Sequence, residues 1–220
     1  DLNDQVYAVR TDLHYPAIHY LNKAHPLARI RAGLKKRFPN DTVTFTSVTR
    51  DNTKAIALLS SDRNPGQFLL VDLKAENKLE MLFHRKPHLA PNELAPMMPI
   101  EVKVRDGSKI YGYITSAPDT PKPGPMIVVI HGGPHGPRDF WGYDTNVQLM
   151  ASLGVHVLQV NFRGSGGYGL DYEQKGYGEW GRLMQHDVTD ATRWAIDSKI
   201  ADAERICIYG GSYGAYSALM

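Results

Sequence analysis

The apolar positions between residues 42 and 83 fall into four short runs, "TVTFTSV", "KAIALLSS", "QFLLVDL" and "KLEMLF". The turn-forming stretches "TRDN", "DRNPG" and "KAEN" separate these runs. Short β-branched and apolar runs between turn signals indicate strands. We therefore predict a four-stranded antiparallel meander with strands at 42–48, 54–61, 67–73 and 78–83. Its length fits a piece of a sandwich or one blade of a propeller.

The preceding residues carry a helical pattern. Within 25–38, apolar residues recur at spacings of three, four and four, and Pro26 stands near the start. This periodicity places them on one face of an amphipathic helix: Leu27, Ile30, Leu34 and Phe38. Further upstream, "DQVYAVR" (4–10) is typical of a strand.

The pattern of apolar and polar positions changes after the stretch 85–99, where four prolines fall within fifteen residues. We expect no regular element there, because proline lacks the N–H that helices and sheets use. We place a linker at 85–99, between a propeller-like region (1–84) and a second domain (100–220). In the latter we predict a hairpin (100–106, 109–116), helices (145–154, 181–199) and buried strands (125–133, 155–164, 205–211). Helices between buried strands indicate a parallel α/β sheet.

Composition and charge narrow the classes of molecule that this chain could bind. The chain is 42% hydrophobic and carries 25 Lys and Arg against 23 Asp and Glu, a net charge of +2. This balance argues against a nucleic-acid-binding surface or a polybasic membrane anchor. The longest apolar run, "MIVVI", is too short to cross a bilayer. The single cysteine, Cys207, excludes an internal disulfide and is expected in the core.

One motif carries candidate chemistry. Residues 210–214, "GGSYG", fit G-x-S-x-G, with an apolar strand before them and the helix-compatible "AYSALM" after them. In such a turn the serine takes a strained backbone conformation, and glycines two residues away on either side avoid collisions. The N–H of Tyr213 then points toward a carbonyl oxygen held by Ser212. The alternative is a tight turn with a surface serine, but the strand, turn and helix context together favour a nucleophile.

A second glycine-rich loop supports the same interpretation. "HGGPHG" (131–136) follows another buried strand, and its glycines let backbone N–H groups approach a substrate oxyanion. If the hairpin counts as two strands, this loop follows the third strand and the serine follows the fifth. An α/β-hydrolase sheet presents its oxyanion loop and nucleophile in the same order. The predicted fold is therefore an α/β hydrolase, a mostly parallel sheet with helices on both faces.

The sequence also resembles a known family. "IVVIHGGPHG", "VNFRGSGGYG", "GEWG", "DVTDATRWA" and "RICIYGGSYGAYSAL" are similar to segments of the prolyl oligopeptidase family of serine peptidases, and most closely of its acylaminoacyl-peptidase-like branch. The resemblance is tight from about residue 99 to residue 220, while the upstream meander is similar to the end of the β-propeller in that family. It implies that Ser212 is the nucleophile and that the N–H groups of Tyr213 and Gly133 form the oxyanion hole.

Other polar motifs have structural interpretations. His131 lies in the oxyanion loop and precedes the serine, whereas the triad order in this fold is Ser, Asp, His. We expect it to hydrogen-bond the loop backbone. The loop "RGSGGYG" (163–169) lacks the Lys-Ser/Thr of a phosphate-binding loop, so we expect a turn in which Arg163 binds a carboxylate. We predict no metal site and no cofactor.

The position of the serine shapes the functional hypotheses. No Asp or His lies between Ser212 and Met220, so the triad cannot be completed there, and we expect the chain to be part of a longer enzyme and inactive alone. The first hypothesis is a serine peptidase acting on short peptides. The alternatives are a carboxylesterase or lipase-like hydrolase and a non-catalytic scaffold. Expected partners are the peptide substrate and the rest of the polypeptide. Cleavage specificity, oligomeric state and compartment stay open.

Overall fold

The structure is a computed structural model that describes residues 6–74 and 78–220. The start of the predicted strand "DQVYAVR" and most of the predicted turn "KAEN" lie outside the described residues. The chain divides into two compact units, each with its own core. The first consists of residues up to Asp12, Pro16–Leu94 and Gly142–Asp144, and the second of Leu13–Tyr15, Ala95–Trp141 and Thr145–Met220.

Among the residues that the structure describes, the first unit contains a short hairpin, one α-helix, a four-stranded sheet and a 3₁₀ turn at Pro91–Glu93. Its elements are β1 (Ala8–Thr11), β2 (Ala17–Tyr20), α1 (Pro26–Arg37), β3 (Thr42–Val48), β4 (Lys54–Ser61), β5 (Asn64–Asp72) and β6 (Leu79–His84). Strands β3 to β6 pair antiparallel in chain order, as predicted for a meander. The apolar face of α1 packs on this sheet through Ile30 and Leu34. The predicted turn "DRNPG" is shorter than expected, because β5 already begins at Asn64.

The second unit contains the predicted alternation of strands and helices. Its elements are β7 (Met97–Lys103), β8 (Lys109–Thr115), β9 (Gly124–Ile130), α2 (Thr145–Ser152), β10 (His156–Asn161), α3 (Leu170–Gln174), α4 (Leu183–Asp197), β11 (Ala201–Gly210) and α5 (Tyr213–Leu219). The sheet order is β7-β8-β10-β9-β11. Strand β8 is antiparallel to both neighbours, and β9 is parallel to both of its own. The carboxyl ends of β9, β10 and β11 therefore share one edge.

Helices cover both faces of this sheet, as predicted. On one face, α4 packs its buried stripe against Leu158 and Val160 of β10. The stripe consists of Met184, Val188, Ala191 and Ala195. On the other face, Val147 and Ala151 of α2 pack against Val157, also from β10. The alternating residues of this strand supply both cores, as the two-residue period of a strand requires.

Three further features differ from the sequence-based expectations. Strand β7 begins at Met97, inside the predicted linker, and contains Pro99. Proline is tolerated there because β7 is an edge strand of the described sheet, where one side of the backbone has no strand partner. The short helix α3 was not predicted. Cys207, expected in the core, is exposed because it lies on β11, which also forms an edge of this sheet.

Among the described residues, no helix combines the length and apolar character needed to cross a membrane.

Candidate active site

Ser212 lies in a sharp turn between β11 and α5. Its backbone angles are φ 55° and ψ −119°, in a region that residues with a side chain rarely adopt. Such a conformation costs on the order of 1–3 kcal/mol and persists only where the surrounding structure imposes it. The strained strand-to-helix turn expected from the sequence is therefore present at this serine.

The two flanking glycines of the motif have a steric role. A Cβ on Gly210 would come within 2.6 Å of the carbonyl carbon of Gly214, and a Cβ on Gly214 would overlap the carbonyl oxygen of Ile130. Gly211, in contrast, has open space where a side chain would extend. The collisions expected from the motif thus occur at the first and last glycine and not at the middle one.

The helix that follows leaves one backbone donor free. The N–H groups of Gly214, Ala215 and Tyr216 donate to carbonyls of the turn, at 2.9, 3.0 and 3.2 Å. For Tyr213, the described residues offer no backbone acceptor, as expected in the first turn of a helix. Its side chain points into the core instead, and burial raises the pKa of its hydroxyl to about 12. The backbone N–H of Tyr213 is therefore available to a ligand.

The second glycine-rich loop lies beside the serine. It leaves β9 at Ile130, which is in register with Gly210 at the end of β11. A Cβ on Gly132 would stand 3.4 Å from the Cβ of Ser212 and 4.0 Å from its Oγ. Gly133 has a φ of 124°, which a residue with a side chain would rarely adopt. Like Tyr213, it makes no backbone hydrogen bond through its N–H within the part of the chain that the structure describes.

His131 is committed to the loop backbone, as expected. Its Nδ1 lies 2.8 Å from the carbonyl oxygen of Gly132, and its Nε2 lies 2.8 Å from the hydroxyl of Ser165. Burial lowers the pKa of His131 below its ordinary value, so the ring is neutral near pH 7. With both nitrogens engaged, His131 has no free nitrogen to serve as a general base for Ser212.

The loop 163–169 is held by a buried ion pair. Arg163 donates to Asp187 through Nε (2.8 Å) and Nη2 (2.6 Å), and to Asp106 through Nη1 (2.8 Å). These carboxylates raise the pKa of Arg163. Burial raises the pKa of Asp187, while the hydrogen bonds from Arg163 oppose it. Arg163 keeps its proton, because a guanidinium does not lose it in proteins, and its hydrogen bonds favour the charged form of Asp187. The predicted contact between Arg163 and a carboxylate is confirmed.

Aromatic side chains support both loops. Phe162, fully buried and directly after β10, stacks on His131 with 4.5 Å between ring centroids, and its centroid lies 5.2 Å from that of Tyr213. The ring of Trp180 meets that of Tyr213 edge-on, with 4.9 Å between ring centroids. A large apolar residue directly after a buried strand was the available signal for Phe162.

Some components of a hydrolase site are not found beside the serine. Within residues 6–74 and 78–220, Ser212 Oγ makes no hydrogen bond to a histidine. The same residues contain no group of three or more His, Cys, Asp or Glu side chains placed to hold a metal ion. What the described residues bring together is a strained serine and two unengaged N–H groups, and the roles of Ser212, Tyr213 and Gly133 stay predictions.

Comparison with known proteins gives consistent matches. Residues 141–220 match the prolyl oligopeptidase family. Dipeptidyl aminopeptidase BIII of Pseudoxanthomonas mexicana is 35% identical over 201 residues, which are 86% of this chain and 29% of that protein. A puromycin-hydrolyzing peptidase of Mycobacterium tuberculosis has a TM-score of 0.64 at 28% identity, covering 76% of this chain and 27% of that chain.

An acylaminoacyl peptidase of Pyrococcus horikoshii has a TM-score of 0.62 at 25% identity, covering 80% of this chain and 28% of the other. These structural matches confirm the predicted fold class, an α/β hydrolase preceded by an antiparallel meander. The chain spans less than a third of the length of each of these three proteins.

Proposed function

Because this chain belongs to the prolyl oligopeptidase family, we propose that the whole protein is a serine peptidase that hydrolyses short peptides through an acyl-enzyme on Ser212. The observation that carries the proposal is the strained backbone of Ser212 beside the loop at Gly132. The names of the similar proteins, a dipeptidyl aminopeptidase and an acylaminoacyl peptidase, favour short peptides as the substrate class.

In the proposed first step, Ser212 Oγ attacks the carbonyl carbon of the scissile peptide bond, and its proton passes to a general base. The carbonyl oxygen gains negative charge and accepts hydrogen bonds from the N–H groups of Tyr213 and Gly133. Loss of one such donor typically lowers kcat by about 10²- to 10³-fold. Collapse of the tetrahedral intermediate breaks the C–N bond, releases the amine after it takes up the proton, and leaves an ester on Ser212.

Water then attacks this ester with help from the same base, and the acid product leaves Ser212 free again. We propose that the base, a histidine, and its orienting aspartate come from the part of the whole protein that these 220 residues do not include. His131 is unsuited to that role, because its two ring nitrogens bind Gly132 and Ser165. The 220-residue chain by itself is therefore expected to show no turnover.

The test compares substrates and variants in the full-length protein. Dipeptidyl and acyl-amino-acid anilides should be hydrolysed, and Ser212→Ala should abolish their turnover. Ser152→Ala is the matched control, since Ser152 is an exposed serine at the end of α2 whose hydroxyl donates to Leu149. Hydrolysis confined to p-nitrophenyl esters would overturn the peptidase proposal in favour of an esterase. Ser212-independent turnover would overturn the assignment of the nucleophile.

A further inference from the structure

We infer that Ser165 is a positioning residue for the proposed reaction: its hydroxyl holds the ring of His131 in the orientation from which Nδ1–H orients the Gly132–Gly133 peptide. This inference rests on the proposed function and deepens it. Ser165 belongs to the loop "RGSGG" (163–167), which has no part in the chemistry described so far. The side chain of Ser165 is fully buried and reaches the oxyanion loop through one hydrogen bond.

The first step concerns the orientation of a peptide group. In a planar trans peptide, the C=O and the N–H point in opposite directions. The bond between Gly132 and Gly133 is trans, and its carbonyl oxygen accepts a hydrogen bond from His131. Its N–H, the predicted oxyanion donor, therefore points away from the imidazole. Whatever fixes the His131 ring also fixes the direction of this N–H.

The second step concerns the proton on the ring. A carbonyl oxygen can only accept, so the proton of neutral His131 must be on Nδ1. Nε2 then carries a lone pair and accepts from Ser165 Oγ. In the other tautomer, the Nδ1 lone pair would face the lone pairs of the Gly132 oxygen and repel it. The Gly132 carbonyl thus fixes the tautomer, and the Ser165 hydroxyl, which then donates to Nε2, holds the ring in the orientation that keeps the peptide in place.

The third step is the rigidity of the loop that carries Ser165. Backbone hydrogen bonds connect the two loops, from Gly136 N to Gly164 O and from Gly166 N to Gly136 O, each 3.1 Å long. Residue 166 must be glycine, because a Cβ there would overlap the carbonyl oxygen of Gly136. The ion pair between Arg163 and Asp187 anchors the start of the loop to α4. The hydroxyl of Ser165 is therefore held at a fixed position relative to His131.

The chain offers a control with the same chemistry elsewhere. Ser116 Oγ lies 2.6 Å from Nδ1 of His156, whose Nε2 lies 3.0 Å from the carbonyl oxygen of Pro121. This second serine, histidine and carbonyl series lies at the amino end of β10, and not beside the Ser212 loop. Ser116→Ala removes the same kind of hydrogen bond as Ser165→Ala. A purely structural role would make the two variants behave alike.

The experiment measures kcat and KM for an anilide substrate in the full-length protein. Ser165→Ala is expected to lower kcat by about 10- to 100-fold, a part of the 10²- to 10³-fold effect of losing an oxyanion donor outright, with KM within twofold. Ser116→Ala is expected to keep kcat within twofold. Ser165→Cys keeps the side-chain volume but offers a weak donor. It should also lower kcat, and it keeps the test decisive if the alanine variant does not fold.

A double-mutant comparison tests the route through His131. His131→Phe keeps a ring against Phe162 but loses both hydrogen bonds, and adding Ser165→Ala to it should lower kcat no further. Additive losses, or unchanged kcat in the Ser165 variants, would overturn the inference. The proposed function would survive those results as long as Ser212→Ala remains inactive. A failure of the proposed function itself would appear differently, as turnover that does not depend on Ser212.

Discussion

The carbonyl oxygen of Ile130 occupies the space that a Cβ on Gly214 would need. This contact joins the helix after the nucleophile to the end of β9, one residue before the oxyanion loop begins. Gly210 is in register with the same isoleucine. The serine turn and the loop are therefore set against one backbone position, and a side chain at 214 would disturb both at once.

We predict that Gly214→Ala lowers the free energy of unfolding by about 1–3 kcal/mol, or more, because overlap with backbone cannot be relieved by a rotamer change. Urea denaturation of the full-length protein measures this loss. Gly211→Ala is the control within the same motif, because its Cβ would meet no atom within 4 Å. It should change stability by less than about 0.5 kcal/mol. Equal effects at the two positions would contradict the steric account.

The buried ion pair gives a second prediction. Asp187→Asn leaves the Arg163 guanidinium, whose side chain is only 7% exposed, without its main carboxylate. Removing one partner of a buried ion pair lowers the free energy of unfolding by about 3–5 kcal/mol. Asp190→Asn is the matched change on the same helix, since Asp190 pairs with Arg105, which is 40% exposed. For Asp190→Asn, the loss in the free energy of unfolding should stay below about 1 kcal/mol. A smaller loss at 187 than at 190 would refute the anchoring role.

Two buried histidines predict a pH dependence of stability. Burial lowers the pKa of both His131 and His156 below the ordinary value of 6.5. Below about pH 6.5 the unfolded chain binds protons that the folded chain does not, so the free energy of unfolding falls as the pH drops. His156→Phe removes one titrating group, and the slope between pH 6.5 and 5 should decrease by up to about 1.4 kcal/mol per pH unit. An unchanged slope would contradict the burial effect.

Local patterns predicted much of this fold. The spacing of Leu27, Ile30 and Leu34 identified α1, and the apolar run before "GGSYG" identified β11 and the serine turn. In both cases the signal lies within one element and depends on side-chain periodicity or on glycine sterics. The strand count from residue 100 onward also placed the two glycine-rich loops after the third and the fifth strand, which are β9 and β11 in the structure.

Other features depend on contacts between distant segments and have no local signature. Ser165 and His131 are 34 residues apart, and only the folded sheet brings the hydroxyl to the ring. Likewise, Cys207 has the sequence context of a core residue, but its exposure follows from the position of β11 at an edge. Pro99 suggested a linker, although an edge strand accepts it.

The central claim, that Ser212 is an activated nucleophile, is tested most directly by covalent labelling. The full-length protein is treated with a fluorophosphonate probe and digested, and the modified peptide is identified by tandem mass spectrometry. We predict one stoichiometric adduct on Ser212, absent in Ser212→Ala and retained in Ser152→Ala. Failure to label Ser212 in active protein, or labelling of another serine in its place, would contradict the claim.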